Sequence, residues 1–364
     1  MKKNVESPPT RRALRSVTIR DVARRAGVST ATVSRALANP DQVAEVTREH
    51  VFSAIAAIGF TPNAATRSLR ARSTKMVLAL LHGIGDSFYT VILNAIERTL
   101  ATAGYGMIMG DNRAVSGREQ HYDRLVRSGQ VDGVLLFSSR LSSECMAEIE
   151  GKIPVLLVCN AMADLPHLPV VEVGNRAAAL EMTNYLISLG HRHIAHIRGP
   201  ASNVEATERL RGVEQAVAKA GLGPQDLHVW DGSFTFDAGA AAAEHFLALS
   251  RRPTAVFCAS DQVAIGFIKA VRDAGLTVPG DVSVAGFDDI EVASLFAPGL
   301  TTMRQPRTDL GHSAAALLVE RMTKGGSGNE RTRLPCTLVI RDSVRDLTGD
   351  RRSLKQRPAT LVGS

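Results

Sequence analysis

The chain has 364 residues, room for two or three domains, and its 45% hydrophobic and 22% charged composition excludes a disordered protein. No apolar run reaches the ~18 residues of a membrane span, and the N-terminus MKKNVESPPTRRALRS lacks the apolar stretch of a secretory signal. Residues 1–75 hold 14 basic and 5 acidic residues, a net of +9, while the rest carries −2, so the whole positive excess sits in one small segment.

Residues 1–16 are polar, basic and proline-containing and read as a loose tail. Thr18 followed by Asp21 predicts a capped helix start, with Ile19, Val22, Ala23 and Ala26 on one apolar face. Gly27-Val28 breaks that helix. Ser29 can cap a second one, whose inner face is Val33, Ala36 and Leu37 and which stops at Asn39-Pro40. A third helix around residues 44–58 is expected to bury Val51, Ile55 and Ile58 and to end at Gly59. Three helices within about 42 residues, the first two joined by a tight turn, form a helix-turn-helix pattern, for which clustered positive charge points to a nucleic-acid partner.

Pro62 resets the chain, and NAATRSLRA (63–71) has the length of a very short helix. Beyond residue 74 short apolar runs (MVLALL, VDGVLLF, PVLLVC, HIAHI, TAVFC, VSVAGF) alternate with Ala- and Leu-rich helical stretches. Such runs suit strands buried on both faces, and about 265 residues of this alternation exceed one comfortable sheet. Two similar α/β lobes facing a cleft are expected. The four cysteines (Cys145, Cys159, Cys258, Cys336) form no CxxC and read as free thiols of a reducing compartment.

SVTIRDVARRAGVSTATVSRAL followed by NAATRSLR resembles the headpiece and hinge of the lac repressor (LacI/GalR) family. DSFY, GP…RLRG at 199–212, FCASDQVAIG at 257–266 and VAGFDDIEVA at 284–293 follow in the order of that family's core, which is similar to periplasmic sugar-binding proteins. The resemblance implies an all-α helix-turn-helix headpiece joined to an α/β core of two parallel-sheet lobes. The division it implies is a basic tail (1–16), a DNA-binding domain (17–62), a hinge helix and linker (63–74), a core for effector binding and dimerisation (75–344) and a flexible tail (345–364).

In a helix-turn-helix the second helix enters the major groove with its N-terminal residues at the base edges. Here those are Thr30, Ala31 and Arg35, with Ser29 and Ser34 placed for phosphate. A bidentate Arg35–guanine contact carries ~1–3 kcal/mol of discrimination; a phosphate clamp or a surface ion pair is the alternative. Thr18, Thr32 and Asn39 complete the expected DNA-facing set. By resemblance Leu69 is a hinge-helix wedge for the minor groove, with Asn63, Arg67 and Arg70 near the backbone. Thr66 stands where an alanine is common in the family. A helix of about nine residues is too short to be stable alone, which implies that it folds only on DNA.

The resemblance places Phe88, Tyr89, Arg209, Phe234, Ser260, Asp261 and Asp288 at an effector cleft, with Asn160, Asn203 and Glu205 beside them. A carboxylate and a guanidinium direct hydrogen bonds to hydroxyls, and an aromatic ring stacks on a sugar face or a base. Cys159 occupies a position where many members have an aspartate. Read without the family, Asp288-Asp289 after a strand equally suits a helix cap, Arg209 a salt-bridged helix residue, and Phe88 and Tyr89 core positions.

No GxGxxG, P-loop or GxSxG occurs, and His191, His193 and His196 alternate across a strand in a way that makes shared metal ligation awkward. Neither catalysis nor a cofactor or metal is expected. The resemblance implies a cytoplasmic, nucleoid-associated regulator of catabolic or uptake genes, a repressor. An activator or corepressor-dependent regulator, which shares every motif, is the alternative, and a small-molecule binding protein without DNA is the remoter one. The regulator would bind a double-stranded DNA operator and a nucleoside or sugar effector. Residues 345–364 lack leucine heptads, which favours a homodimer.

Overall fold

The computed structural model describes residues 17–60, 73–85, 87–112, 118–162, 164–326 and 328–349. The chain divides into two compact units, Met1–Thr74 and Lys75–Ser364.

The first unit holds α1 (Ile19–Ala26), α2 (Thr30–Ala38), a single 3-10 turn (Pro40–Gln42) and α3 (Glu45–Ile58). The Asp21 carboxylate reaches back to the start of α1, accepting from the Thr18 backbone N–H at 3.0 Å and its hydroxyl at 2.7 Å. Gly27, at φ 67°, ends α1 in the left-handed region that only glycine enters without strain. Ser29 Oγ then accepts from Thr32 N at 3.0 Å and opens α2. Helices of eight and nine residues are marginal alone, so a shared core must hold them. That core is Val22, Ala23, Val33, Ala36, Val51 and Ala54. The three valines are wholly buried, and each contributes ~1.5–3 kcal/mol by leaving water. α3 turns Val51 and Ala54 inward; Ile55 and Ile58, expected inside, pack half-buried at the edge.

The second unit contains two six-stranded sheets. In the first, β1 (Met76–Leu81), β2 (Gly106–Asp111), β3 (Gly133–Phe137), β4 (Val155–Val158), β5 (Val170–Val173) and β11 (Arg331–Leu334) are ordered β11-β5-β4-β3-β1-β2, every pair parallel. In the second, β6 (Ile194–Ile197), β7 (Leu227–Trp230), β8 (Ala255–Cys258), β9 (Ser283–Asp288), β10 (Thr301–Arg304) and β12 (Thr337–Val339) are ordered β12-β10-β9-β8-β6-β7. Only the β10–β12 pair is antiparallel. β1 explains the apolar runs. Val77, Ala79 and Leu81 enter one core, Leu78 and Leu80 the core behind the sheet, and all five are wholly buried.

The remaining helices are α4 (Ser87–Thr102), α5 (Arg118–Arg127), α6 (Ser143–Ile149), α7 (Asn175–Ser188), α8 (Val204–Lys219), α9 (Phe236–Ala248), α10 (Asp261–Asp273), α11 (Glu291–Leu295) and α12 (Arg307–Lys324). α12 packs with α4 on the first sheet, α7 with α8 on the second. The chain therefore crosses between lobes three times, at 173–175, 304–307 and 334–337. α9 and α10 meet backbone to backbone. A Cβ at Gly239 would strike the Val263 carbonyl, and one at Gly266 the Phe236 carbonyl. Residues 345–349, expected in the loose tail, dock on the second lobe: Arg345 N donates to Ser283 Oγ at 3.0 Å and Leu347 N to Leu189 O at 2.8 Å. Among the described residues no helix is long and apolar enough to cross a membrane.

Candidate functional sites

On α2, Val33 and Ala36 are wholly buried, and the opposite side exposes Ser29, Thr30, Ala31, Arg35 and Asn39, with Thr32 and Ser34 half-buried. A phosphate only accepts, so the proton inventory of the hydroxyls matters. The Ser29 and Thr32 hydroxyls bond each other at 2.9 Å, which leaves one proton of the two for an incoming acceptor. Thr18 fares differently. Its only hydroxyl proton and its backbone N–H both go to Asp21, so its part is to start α1 and it offers no proton to DNA. Asn63, Arg67, Leu69 and Arg70 lie outside the described residues.

Between the two lobes lies a cleft of about 920 Å³. Its lining follows the carboxyl ends of the strands, where α/β sheets place ligands: His82 after β1, Ser138 after β3, Asn160 after β4, Ser260 after β8, Asp288 closing β9, Gln305 after β10. All the expected cleft residues except Asp261 line it. Ser138, Cys159 and Asp288 hold φ of 47°, 66° and 121°, a strained backbone of the kind that gathers at binding sites.

At the floor, Arg209 is 5% exposed and its Nε donates to Asn175 Oδ1 at 2.8 Å. Its Nη1 bonds the Ala259 carbonyl and stands 3.9 Å from Asp288 Oδ1. The guanidinium lies 3.7 Å from the Phe287 ring centroid and 5.6 Å from that of Phe234. Asp288 Oδ1 accepts from Gln305 Nε2 at 2.7 Å. Asp288 is not a helix cap, because Ile290 occupies that position of α11. Its neighbour Asp289 turns away and clamps Arg304 and Arg341, each at 2.6 Å. Arg209 is thus both a salt-bridged helix residue and a cleft residue.

Phe88 and Tyr89 meet edge to face at 5.2 Å and also pack on the first-lobe core, so both readings of them hold. Asn203 and Ser260 line the cleft while capping α8 and α10, accepting from Ala206 N at 2.8 Å and Val263 N at 3.3 Å. Burial pushes the Glu205 carboxyl up to about 8, with Arg209 pulling the other way. Burial, with Glu205 and Asp288 nearby, holds the Cys159 thiol well above its ordinary value and makes it a poor nucleophile.

Asp261 corrects the expectation. It is wholly buried, and its carboxylate accepts from Thr302 Oγ1 at 2.5 Å and Ile290 N at 2.9 Å. It braces the loop after Asp288 from behind. Burial and then Asp288 drive its pKa well above the usual carboxylate range. One residue of helix rotation, about 100°, separates it from cleft-lining Ser260 and Gln262.

Sequence reasoning missed Asn175 and Gln305, which hold Arg209 and Asp288 from the first two lobe crossings, and Arg140, Asp164 and Phe236 at the mouth. No short sequence pattern marks them: Gln305 follows the polar strand Thr301–Arg304, and Phe236 is an apolar helix start. The three histidines are engaged separately: His191 with Thr254 Oγ1 at 2.9 Å, His193 with His228 at 2.9 Å, His196 with the Phe257 carbonyl at 2.9 Å. Among the described residues no three His, Cys, Asp or Glu side chains are arranged to hold a metal.

Residues 18–63 match the family model for bacterial regulatory proteins of the lacI family, and 183–344 that for periplasmic binding protein-like domains. The chain is 37% identical to the HTH-type transcriptional repressor CytR of Escherichia coli (strain K12) over 332 residues, covering 91% of this chain and 97% of that one. It is 32% identical to the repressor PurR of Vibrio cholerae serotype O1 over 333 residues, 91% and 99% of the two chains. Among solved structures it is similar to the lac repressor dimer bound to operator and the anti-inducer ONPF (26% identity, TM-score 0.78, 91% and 100% coverage). It is also similar to a complex of the regulator CelR with cellobiose (31%, TM-score 0.69, 90% and 99%). The fold is that of a helix-turn-helix unit followed by a two-lobed, periplasmic-binding-protein-like core. The chain belongs to the lacI family of bacterial regulatory proteins and is a DNA-binding transcription regulator. The curated relatives are repressors and not enzymes, in agreement with the expectation of no catalysis.

Proposed function

We propose that the chain acts in the cytoplasm as a homodimeric repressor of catabolic or uptake genes, its operator affinity set by a nucleoside or sugar bound between the core lobes. The observation that carries the reading is one chain joining two devices. One is a helix that buries Val33 and Ala36 and exposes Ser29, Thr30, Ala31 and Arg35; the other is a polar, aromatic-rimmed cleft around Arg209 and Asp288. Two such helices in a dimer would read half-sites one helical turn apart, with Arg35 at a guanine and Leu69 as minor-groove wedge. The neighbour solved as a dimer on operator DNA supports the assembly, and the one solved with cellobiose supports a polar ligand. Phe88, Tyr89 and Phe234 offer faces to a base or a sugar ring.

Effector control requires unequal affinity for the DNA-competent and DNA-incompetent arrangements, since equal affinity shifts nothing. The test pairs thermal shift against nucleosides and sugars with operator binding by fluorescence anisotropy. A ligand at ~100 times its Kd stabilises the folded core by ~2.7 kcal/mol. A ligand that stabilises the core and weakens operator binding supports an inducer-released repressor; one that tightens operator binding replaces it with corepression. Salt-insensitive DNA retention would count against the DNA-binding half of the reading.

A further inference from the structure

The charges of the cleft are matched before any ligand arrives. At the floor Arg209 faces Asp288 at 3.9 Å. At the mouth Arg140 makes a two-point pair with Asp164, whose second contact is 3.0 Å. Arg198, two residues before Pro200 of the lining, bonds Asp231 at 2.5 Å. Among the described lining residues Arg140 and Arg209 are the only arginines or lysines, and each has its own carboxylate. Glu205, the remaining acidic lining residue, meets the opposite lobe. With the Asn160 amide turned so that its nitrogen faces acceptors, that nitrogen donates to Glu205 Oε1 at 3.0 Å and to Ala161 O at 3.0 Å, while its oxygen accepts from Ser138 Oγ at 3.1 Å.

Helix N-termini are the other source of positive potential, and α4, α7, α8, α9 and α10 all begin in the lining. At α8, α9 and α10 a side-chain cap already takes a place that an external anion would use. Asn203, Thr235 and Ser260 accept first-turn N–H groups at 2.8, 3.4 and 3.3 Å. The Asp237 carboxyl stands in the first turn of α9 as well. A phosphate dianion entering here would find no arginine or lysine among the described lining residues without a carboxylate beside it. At Arg209 it would face Asp288, and at Arg140 it would face Asp164.

We propose that the cleft selects an uncharged polar ligand, a nucleoside or an unphosphorylated sugar, and rejects the phosphate ester of the same compound. The inference rests on the effector reading above and narrows it. Burial that keeps Glu205 protonated at neutral pH fits the same picture, since the two remaining pairs then sum to zero. The discrimination should reach at least ~100-fold in Kd, because an ester must either break a matched pair or sit unpaired in a partly dry site.

The test is calorimetry on the full chain with matched pairs: the four ribonucleosides and their 5′-monophosphates, ribose and ribose 5-phosphate, glucose and glucose 6-phosphate. The expected result is binding by at least one uncharged member, weakened at least ~10-fold in Asp288→Ala, with its ester ~100-fold weaker or undetectable. An ester that binds as tightly as or tighter than its parent, and is weakened likewise in Asp288→Ala, overturns the charge inference and leaves the cleft reading standing. Binding that Asp288→Ala leaves undiminished, or silence from every pair, overturns the cleft reading and this inference with it. Asp164→Asn uncovers Arg140 without touching Arg209 and should narrow the discrimination at least ~5-fold; an unchanged ratio would refute charge matching as its cause.

Discussion

Replacing Asp288 with alanine should separate ligand recognition from DNA reading. The substitution removes the acceptor of Gln305 Nε2 at 2.7 Å and the carboxylate 3.9 Å from the buried Arg209 guanidinium. Stripping a buried ion of its only partner costs ~3–5 kcal/mol. Arg209 keeps Asn175 Oδ1 at 2.8 Å, the Ala259 carbonyl and the Phe287 ring, so about 2 kcal/mol is expected. For a core of this size that is a fall of about 4–8 °C in Tm. A charge-assisted bond to ligand is worth ~1.5–3 kcal/mol, so affinity should drop ~10- to 150-fold. The first unit builds its own core from Val22, Val33 and Val51, so operator binding by anisotropy should stay within about twofold. Undiminished ligand affinity would refute the assignment of Asp288. A collapse in Tm beyond ~10 °C with loss of operator binding would make it a brace of the Asp289 kind.

Arg35→Ala should lose ~1–3 kcal/mol on the cognate operator and keep salt-dependent binding to random duplex; retained specificity would remove Arg35 from base contact. Burial lowers both His191 and His196 to about 4, below their ordinary 6.5. Their contribution is therefore complete above pH 6.5 and lost as pH falls from 6.5 towards 4, roughly 3 kcal/mol each. Urea midpoints that do not fall between pH 7 and pH 4.5, or that fall no less in His196→Gln, would contradict this. Gly239→Ala drives a methyl into the Val263 carbonyl and should cost more than ~2 kcal/mol by denaturant titration; a neutral result would mean that α9 and α10 can part.

The legible parts of the molecule were those whose cause is local. Ser29 and Gly27 mark helix ends through bonds within their own turn, and MVLALL or TAVFC declare strands buried on both faces. β5 and β10 were quieter because distant partners decide them. Glu172 is tolerated inside the first sheet by Arg333, 2.7 Å away and 161 residues on. Thr301 and Thr302 are bonded to Ser343 and Asp261. In the cleft, resemblance found side chains that line it and mistook Asp261, which shares their neighbourhood but faces the sheet. Asn175 and Gln305 stayed hidden because their meaning lies in the lobe crossings, which no short pattern announces.

Those crossings have a mechanical consequence. Asn175 and Gln305 sit where the chain passes from lobe to lobe, and they hold the two groups, Arg209 and Asp288, that a ligand would pull on. A ligand in the cleft would therefore act at the fulcrum rather than on the blades. β1 runs six residues from Met76 to the cleft, so the linker joins the first lobe about 20 Å from that fulcrum. A tilt of roughly 10° over that arm carries the start of the core by about 3 Å, more than half of one turn of an α-helix.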